Sequence, residues 1–434
     1  MTRQGDFKQL VRERMARTGE RYTTARAHVL GAHTQAADAP ALQLGGMHDQ
    51  TSALRDLLAA EGIDAPHTKL PPSEPLLLGL GGGIGAAVFT FQYKGELPHL
   101  YVETRCSPQF AYDLEFVRRA AAGLGLTLDV ATGTTPKAAA RVLDSALAAG
   151  RPALCLVDAL ALPNHAGMPQ GALPWVVVVH EQRGDTVVVT DRSQVPLEMP
   201  RKMLDVARTM FVKGKGAVAT LVAAPSPRGA LDKGIETGIR YCIAELAGRE
   251  LRTGFAGNFG IRALEKWIGD IERGGKNGWR TRFAAGKSLA AALRQAYGWV
   301  ETSGTGGGGF RPMYAAFLRE AAVATGNAEF ATVAARYDAL GDSWTGLFTD
   351  LMPGGTPLGE MRRHLDERGA AVRRGAPREE LAAHDAALKA LVDRCDPFPG
   401  DAESTYGALG EGLRDIVDDE RAAVAALSDA LQPQ

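Results

Sequence analysis

The chain has 434 residues, of which 45% are hydrophobic and 23% are charged, and its formal net charge is −1. This composition is that of a globular protein, and the length accommodates two or three domains. A net charge near zero excludes a global electrostatic field that would draw the whole molecule to nucleic acid or to an anionic membrane.

The cysteines and the first residues bear on the cellular compartment. The four cysteines are far apart and include no CxxC pair, which argues against a disulfide framework and against a thiolate zinc site. The chain starts with charged and polar residues and lacks the apolar segment and cleavage site of a secretory signal. We therefore expect a cytoplasmic protein.

Residues 1–38 are interpreted as a basic helical arm. Arg and Lys outnumber the acids over residues 6–30, where two short helical patterns are separated at Thr18–Gly19. Apolar stripes on both patterns predict a hairpin that packs on the rest of the protein or self-associates into a homo-oligomer. The alternative is a helix-turn-helix-like contact with nucleic acid or a protein partner, which needs the basic residues on one face. We favour the packed hairpin.

A polar cluster at residues 47–52 (MHDQTS) runs directly into an apolar pattern that includes Leu54 and Leu58. The spacing of these leucines predicts the buried face of a helix. The density of histidine, acid, amide and hydroxyl groups just before that face is typical of the mouth of an active site. The structural alternative is that Asp49 or Thr51 caps the helix and its neighbours support the cap.

Residues 75–93 form an uncharged run whose length would suffice to cross a bilayer. Five glycines within it disfavour a helix, and residues 88–93 have strand character, so we expect no membrane span. Gly81-x-Gly83-x-x-Ala86 formally fits a dinucleotide fingerprint, but it leads into this strand and not into a helix that would hold a pyrophosphate. We therefore expect no cofactor.

The middle of the chain alternates between strand and helix patterns, which predicts a mixed α/β (α+β) fold. The expected strands cover residues 100–104, 152–157, 175–180 and 186–190, and the expected helices cover residues 114–124 and 136–149. The last two strands flank the turn pair Gly184–Asp185, which predicts a β-hairpin.

A domain boundary is expected at Pro225–Ser226–Pro227, because strand patterns end there and helical patterns follow. Two glycine-containing loops, residues 257–260 and 302–310, each precede a helix. The second loop offers backbone amides to a phosphate or carboxylate, and a plain interhelical loop explains it as well. Residues 379–431 are interpreted as two exposed helices around a loop at 396–401.

The motifs of three large enzyme classes are absent from the sequence. No GxxxxGK[ST], HExxH or GxSxG segment occurs, so nucleotide hydrolysis, zincin chemistry and nucleophile-elbow chemistry lack their usual marks. His28, His33 and His48 do not have a compact ligand spacing, and we expect no metal site.

Two blocks of the sequence resemble a known pair of domains. The first block runs from HDQTSALR at 48–55, through EPLLLGLGGGIG at 74–85, to Asp191, and is similar to the N-terminal domain of butirosin biosynthesis protein H. The second block, with NFGIR at 258–262 and GGGGFRPMY at 306–314, resembles the uncharacterised helical domain that usually follows it.

The resemblance implies a papain-like cysteine-peptidase-type α/β domain at 39–225, a mainly α-helical companion domain at 226–434, and acyl transfer from a carrier protein to an amine. Such folds place a cysteine at a helix N-terminus, where the helix dipole favours the thiolate, and take a histidine and an acid from a later hairpin. In this sequence the cysteine position holds Asp49, the base position holds Trp175, and Asp191 alone matches, as the acid.

The resemblance and the polar cluster together define a candidate site. Asp49 is a candidate general base or amine-orienting group, since a carboxylate is a poor acyl acceptor. The candidate catalytic residues are His48, Asp49, Thr51 and Asp191. The candidate substrate-binding residues are Gln50, Ser52, Gly81, Gly82, Gly83, Cys106 and His165. In this hypothesis the glycines supply backbone donors to a carbonyl oxygen, Cys106 is the spare thiol, and His165 is a spare imidazole.

Two functional hypotheses follow. The first is an enzyme of specialised metabolism that transfers an acyl or aminoacyl group, or forms or cleaves an amide, with a small amine or an acyl carrier protein as its partner. The second is a non-catalytic binding or scaffold protein, a pseudoenzyme that keeps the papain-like fold after losing cysteine and histidine. The double replacement favours the second hypothesis, and the dense polar cluster favours a retained ligand site.

Overall fold

The computed structural model describes residues 42–105, 114–165, 174–222, 229–248, 255–275 and 278–432. The predicted basic arm, the expected boundary at 225–227 and Cys106 lie outside the described residues. Leu44–Gln434 form one compact unit. No helix in the described ranges is long and apolar enough to cross a membrane.

The first half of the chain combines helices with short strands. Its described helices are α1 (Asp49–Ala60), α2 (Glu74–Gly81), α3 (Glu115–Gly123), α4 (Pro136–Ala148) and α5 (Arg201–Met210). Its described strands are β1 (Ile84–Phe91), β2 (His99–Arg105), β3 (Leu128–Ala131), β4 (Ala153–Asp158), β5 (Pro174–Arg183), β6 (Thr186–Thr190), β7 (Leu197–Pro200) and β8 (Val218–Leu221). Every strand and helix predicted for this region is confirmed, with small shifts at the ends, and so is the mixed fold class.

Six strands form one antiparallel sheet in the order β3-β8-β4-β5-β6-β7, while β1 and β2 form a separate antiparallel pair. The β5–β6 hairpin turns at Gly184, whose φ of 60° favours glycine. Successive residues of β5 point to opposite faces of the sheet. Val176 and Val178 belong to the core that includes α1, and Val177 and Val179 belong to a second core that includes α5. The sheet is thus covered by helices on both faces.

Helix α1 packs on the sheet and begins at the polar cluster. Its N-cap is His48, whose Nδ1 accepts a hydrogen bond from the Thr51 N–H at 3.4 Å. The cap is therefore His48, and not Asp49 or Thr51 as the structural alternative predicted. Leu54 and Leu58 are fully buried, and burial of each such side chain contributes about 1.5–3 kcal/mol. This packing fixes where the polar N-terminus of α1 lies.

The second half is mainly helical, as predicted. Its described helices are α6 (Gly229–Leu246), α7 (Ile261–Glu272), α8 (Trp279–Arg282), α9 (Lys287–Tyr297), α10 (Arg311–Thr325), α11 (Glu329–Leu351), α12 (Pro357–Arg373), α13 (Arg378–Asp393) and α14 (Ala402–Asp429). The prediction that both tail helices are exposed is wrong. Helix α14 buries Leu409, Leu413 and Leu427 completely, because its apolar residues form a stripe that joins the main core.

One buried arginine of the second half is bonded to the first half. Arg311, the first residue of α10, is fully buried, and its Nε donates to Glu420 Oε1 on α14 at 2.7 Å. The same guanidinium donates to the carbonyl oxygens of Thr104 at 3.0 Å, Gly309 at 2.6 Å and Gly85 at 3.1 Å. One side chain therefore connects β1, β2, the loop before α10 and the last described helix.

The Arg311→Met variant (R311M) should lose about 3–5 kcal/mol of unfolding free energy, because it leaves Glu420 as an unpaired buried charge. The double variant R311M/E420L should recover part of this loss, since it removes the stranded charge. Urea denaturation followed by circular dichroism measures both. The control is R240M, which breaks an exposed Arg240–Glu236 pair and should change stability by less than about 1 kcal/mol. Equal losses in R311M and R240M would contradict the assigned role of the buried pair.

Candidate functional site

The turn before α1 is held by one buried carboxylate, Glu74, at the start of α2. Its oxygens accept hydrogen bonds from the Met47 N–H at 3.0 and 3.2 Å and from the His48 N–H at 3.1 Å. The Thr51 hydroxyl donates to the same carboxylate at 2.8 Å, and Arg55 Nη1 lies 3.4 Å from it. Glu74 thereby fixes the backbone of the turn that carries His48 and Asp49. The hydroxyl of Thr51, a candidate catalytic residue, is used in this hydrogen-bond network.

The side chains of His48 and Asp49 lie close together at the N-terminus of α1. Because His48 Nδ1 accepts from the Thr51 amide, the proton of the neutral ring is assigned to Nε2. Nε2 lies 3.1 Å from Asp49 Oδ1. Burial, together with the cations Arg105 and Arg192, lowers the pKa of His48 well below its ordinary value of 6.5. The imidazole is therefore neutral at physiological pH.

The electrostatic environment of Asp49 makes it a proton acceptor near neutral pH. Burial raises its pKa from 3.8 to about 6, while Arg105, Arg192 and hydrogen bonds from backbone amides act in the opposite direction. A carboxyl group with this pKa changes protonation state close to the pH of the cell. General acid–base catalysis requires that property.

Two arginines flank this pair. Arg192 Nη1 donates to the Met47 carbonyl at 3.0 Å, and its guanidinium lies 4.8 Å from the centre of the Trp175 ring. The Arg105 guanidinium lies 4.3 Å from the centre of the Phe116 ring. Arg105 Nη1 and Arg192 Nε are buried and have no hydrogen-bond partner among the residues that the structure describes. Buried donors without partners are costly, so these two N–H groups are suited to a ligand oxygen.

The glycine-rich loop at 303–309 covers the pair. The Phe310 ring, which follows the loop, meets the His48 ring edge-on with 5.2 Å between centroids. Gly304 has a φ of 86°, and a Cβ there would lie 3.0 Å from the Met47 carbonyl oxygen. Only glycine permits this approach, so the second half of the chain closes directly on the N-terminus of α1.

A second polar cluster surrounds Asp191. Its carboxylate accepts from the Ser193 N–H at 2.7 Å, from Ser193 Oγ at 2.5 Å and from Asn164 Nδ2 at 3.0 Å, and His165 Nε2 lies 3.6 Å away. Burial acts to raise the pKa of Asp191, but His165 and the Ser193 hydrogen bonds hold it below its ordinary range. The His165 ring contacts the Trp175 ring with 4.7 Å between centroids, and burial lowers the pKa of this histidine. His165 thus lies near Asp191 without a hydrogen bond to it, and it contacts Trp175 at the expected base position.

The predicted glycines lie in the core and not in a donor site. Gly82 and Gly83 donate their N–H groups to carbonyl oxygens at the end of α2, at 3.0 and 2.9 Å. A Cβ on Gly81 would lie 2.4 Å from the Phe116 ring, and one on Gly83 would lie 2.5 Å from the Tyr314 ring. These positions give room to aromatic side chains, and the amides of Gly82 and Gly83 are already used.

The other predicted substrate-binding residues divide into three cases. Ser52 Oγ donates to the His48 carbonyl at 2.7 Å and so supports the helix start. Gln50 Oε1 is buried and has no hydrogen-bond partner within the described ranges, which leaves it available to a ligand donor. Cys106 lies outside the described residues.

The described cysteines belong to the core. Cys155, Cys242 and Cys395 are fully buried in the two large apolar clusters. Burial raises the pKa of the Cys155 thiol, which disfavours the thiolate. Among the described residues, no thiol lies at the N-terminus of α1.

A cavity of about 300 Å³ opens beside Met47, at the contact between the two halves. Its acids are Glu301 and Asp366, and burial raises the pKa of both carboxyl groups. Asp366 accepts a hydrogen bond from the Tyr297 hydroxyl at 2.7 Å. The remaining lining residues are Thr302, Gly306, Gly307, Gly369 and Arg373. The cavity thus combines two carboxyl groups with one cation.

Sequence reasoning missed much of this environment. Arg192 directly follows the candidate residue Asp191, and this adjacency could have identified it as part of the site. Glu74 opens a quoted family block, but an acid at a helix start is expected from the helix dipole alone. Arg105 and the cavity acid Glu301 are distant in sequence from the polar cluster, and no local pattern connects them to it.

The Asp49→Asn variant (D49N) should be more stable than the wild type above pH 6. A pKa raised from 3.8 to about 6 means that the native state binds this proton more tightly than the unfolded state does. Wild-type stability relative to D49N should therefore fall as the pH rises from about 4 to about 6 and then level off, with a difference of up to about 3 kcal/mol. Urea denaturation at several pH values measures it. A constant difference between the two proteins across this range would contradict the raised pKa.

Known families match two segments of the chain. Residues 48–192 match the family of the N-terminal domain of butirosin biosynthesis protein H. Residues 204–386 match a domain of unknown function, DUF4872. No curated protein matches the chain. The first segment contains Asp49 and the second contains Glu301, and the first family is consistent with a papain-like fold. The chain therefore contains a domain that matches the butirosin biosynthesis protein H N-terminal family, followed by a DUF4872 domain.

Proposed function

We propose that this protein transfers an acyl group to an amine without an acyl-enzyme intermediate, with Asp49 as the general base. The family suggests an acyltransferase-like role in biosynthesis. The observation that carries the proposal is the close His48–Asp49 pair, in which the pKa of the partly buried Asp49 is raised to about 6. A carboxylate with that pKa accepts a proton near neutral pH, and attack by an amine requires such an acceptor.

Direct aminolysis of a thioester on an acyl carrier protein needs no protein nucleophile. The amine nitrogen attacks the carbonyl carbon, a C–N bond forms, and Asp49 takes a proton from the attacking nitrogen. When the tetrahedral intermediate collapses, the C–S bond breaks and the leaving thiolate takes that proton. The products are an amide and a free carrier thiol. His48 stays neutral, and its Nε2 lies 3.1 Å from the Asp49 carboxylate.

The flanking arginines supply the charge stabilisation that this reaction needs. Negative charge develops on the thioester oxygen as the amine attacks. The unpartnered N–H groups of Arg105 and Arg192 are buried close to Asp49, where a hydrogen bond to a developing oxyanion is strongest. In this proposal these guanidinium groups take the role that sequence reasoning gave to Gly81, Gly82 and Gly83.

The cavity beside Met47 is proposed as the subsite of the acceptor. Glu301 and Asp366 are acids whose charged forms burial disfavours, so a cation between them relieves that cost. A small molecule with two amino groups fits this chemistry. One amino group is held as an ammonium ion by the carboxylates, and the other, uncharged, reaches Asp49.

A second candidate function is non-catalytic binding of an amine, a peptide or an acyl carrier protein. The observation that favours it is the double replacement, with Asp49 and Trp175 at the positions of thiol and base. Under this function the buried N–H groups of Arg105 and Arg192 bind a ligand, and the protein catalyses no reaction.

Acyl transfer is tested with acyl N-acetylcysteamine thioesters as carrier mimics and ethylenediamine as acceptor. The D49N variant should lose at least about a hundredfold in rate, because an amide of nearly the same shape cannot take the proton. The ratio of the wild-type rate to the D49N rate should rise with pH through about 6, as Asp49 loses its proton, and then level off. Thiol release and amide formation are both measured.

The control is Asp64→Asn, which removes an exposed aspartate outside the site and should leave the rate unchanged. If wild type and D49N release thiol equally slowly at every pH while the wild type still binds the thioester or the diamine, the binding function replaces the catalytic one.

The acceptor subsite is tested with the double variant E301Q/D366N. Its KM for ethylenediamine should rise about tenfold or more, because a charged hydrogen bond contributes about 1.5–3 kcal/mol, while kcat changes little. The KM for propylamine, which lacks the second amino group, should be unaffected. An equal rise in KM for both amines would remove the cavity from the proposal and leave the role of Asp49 standing.

A further inference from the structure

Two histidines and a glutamate converge on the hairpin formed by α12 and α13. His364 and Glu367 lie one turn apart on α12, and His384 lies on α13. The two Nδ1 atoms are 3.1 Å apart, and Glu367 Oε2 lies 4.0 Å from each of them. Imidazole nitrogen and carboxylate oxygen are ligands that Zn²⁺ prefers in proteins.

The separations of these three atoms match the size of a bound transition-metal cation. The point equidistant from all three lies about 2.2 Å from each, since that is the circumradius of a triangle with sides of 3.1, 4.0 and 4.0 Å. Zinc–nitrogen distances are about 2.0–2.1 Å and zinc–oxygen distances about 2.0–2.2 Å. A cation therefore fits between the three side chains with adjustments of about 0.1–0.2 Å.

The helices that carry these side chains are fixed against each other. One turn further along α12, Arg368 Nε donates to Asp385 Oδ1 on α13 at 2.7 Å. Ala371 and Val372 of α12 pack with Leu381 of α13 in a small buried core. The register of the hairpin is thus set independently of any ion, and the three ligand atoms are preorganised.

Arg363 is the cation that competes for this position. Its Nη1 lies 2.8 Å from Glu367 Oε1, and its Nη2 lies 3.2 Å from His364 Nε2. Both partners of the Arg363–Glu367 pair are exposed, and ion pairs of this kind contribute about 0–1 kcal/mol. A divalent cation can displace this side chain at little cost. The exposure of Glu367 also leaves a coordination position open to water.

We propose that His364, Glu367 and His384 bind a divalent transition-metal cation, Zn²⁺ by its ligand set, which clamps α12 to α13. The proposal is independent of the function assigned to Asp49. It bears on the cavity through α12, because Asp366 lines the cavity from the opposite side of that helix. Three protein ligands and an open position are typical of sites that also accept an exogenous ligand.

The test uses the full chain, stripped of metal with EDTA and titrated with zinc chloride by calorimetry. The wild type should bind one Zn²⁺ at this site, and the midpoint of thermal unfolding should rise with the metal. H384A and E367Q should weaken binding at least about a hundredfold, since each removes a direct ligand. Cobalt(II) should give visible d–d absorption in the wild type that is lost in H384A.

Two further variants make the result specific. H99A removes a half-buried histidine outside the cluster and should bind Zn²⁺ as the wild type does. R363Q should bind more tightly, because the competing guanidinium is gone. Circular dichroism establishes that each variant is folded. Zinc affinity that is unchanged in both H384A and E367Q, or the absence of one-to-one binding in the folded wild type, overturns the proposal.

Discussion

The buried Arg311–Glu420 pair is the constraint on which the candidate site depends. Arg311 holds carbonyl oxygens of both strands of the β1–β2 pair and of the loop that precedes it, and Glu420 neutralises its charge without exposure to water. Phe310 is therefore held with a φ of 68° against the His48 ring. Since loss of a partner would strand a buried charge, this network holds the end of the glycine-rich loop against the N-terminus of α1.

That position decides the electrostatics of Asp49. A helix N-terminus with Arg105 and Arg192 beside it is an environment that stabilises an anion, and in a thiol enzyme it would hold a thiolate. Here the anion is a carboxylate, and the ordinary pKa of an aspartate carboxyl group in water is 3.8. Burial of the carboxyl group outweighs the effect of the arginines, so the pKa of Asp49 rises to about 6.

The sequence predicted the parts of the molecule that local patterns determine. The strands and the hairpin turn at Gly184 follow from period-two alternation and turn chemistry, and both are confirmed. The positions of Asp49 and Asp191 came from family resemblance and stay predictions as functional assignments. The cavity acid Glu301 and the pair His364–His384 could not be predicted, because tertiary packing brings them to their neighbours across long stretches of chain. The prediction that the two tail helices are exposed was wrong, because the many charged residues of α14 obscured its stripe of buried apolar residues in the sequence.

The replacement of the base histidine by Trp175 has different consequences for the two kinds of chemistry. A thiol enzyme loses its proton acceptor at this position, and His165, which contacts the tryptophan, is not oriented by Asp191, since its Nε2 lies 3.6 Å from that carboxylate. Direct aminolysis needs a base only for the attacking amine, and Asp49 meets that need without a second histidine. Trp175 then serves as a flat support under Arg192, 4.8 Å from its guanidinium. Both replacements that disable a thiol mechanism are therefore compatible with one carboxylate mechanism, in which the arginine supported by the tryptophan stabilises the oxyanion.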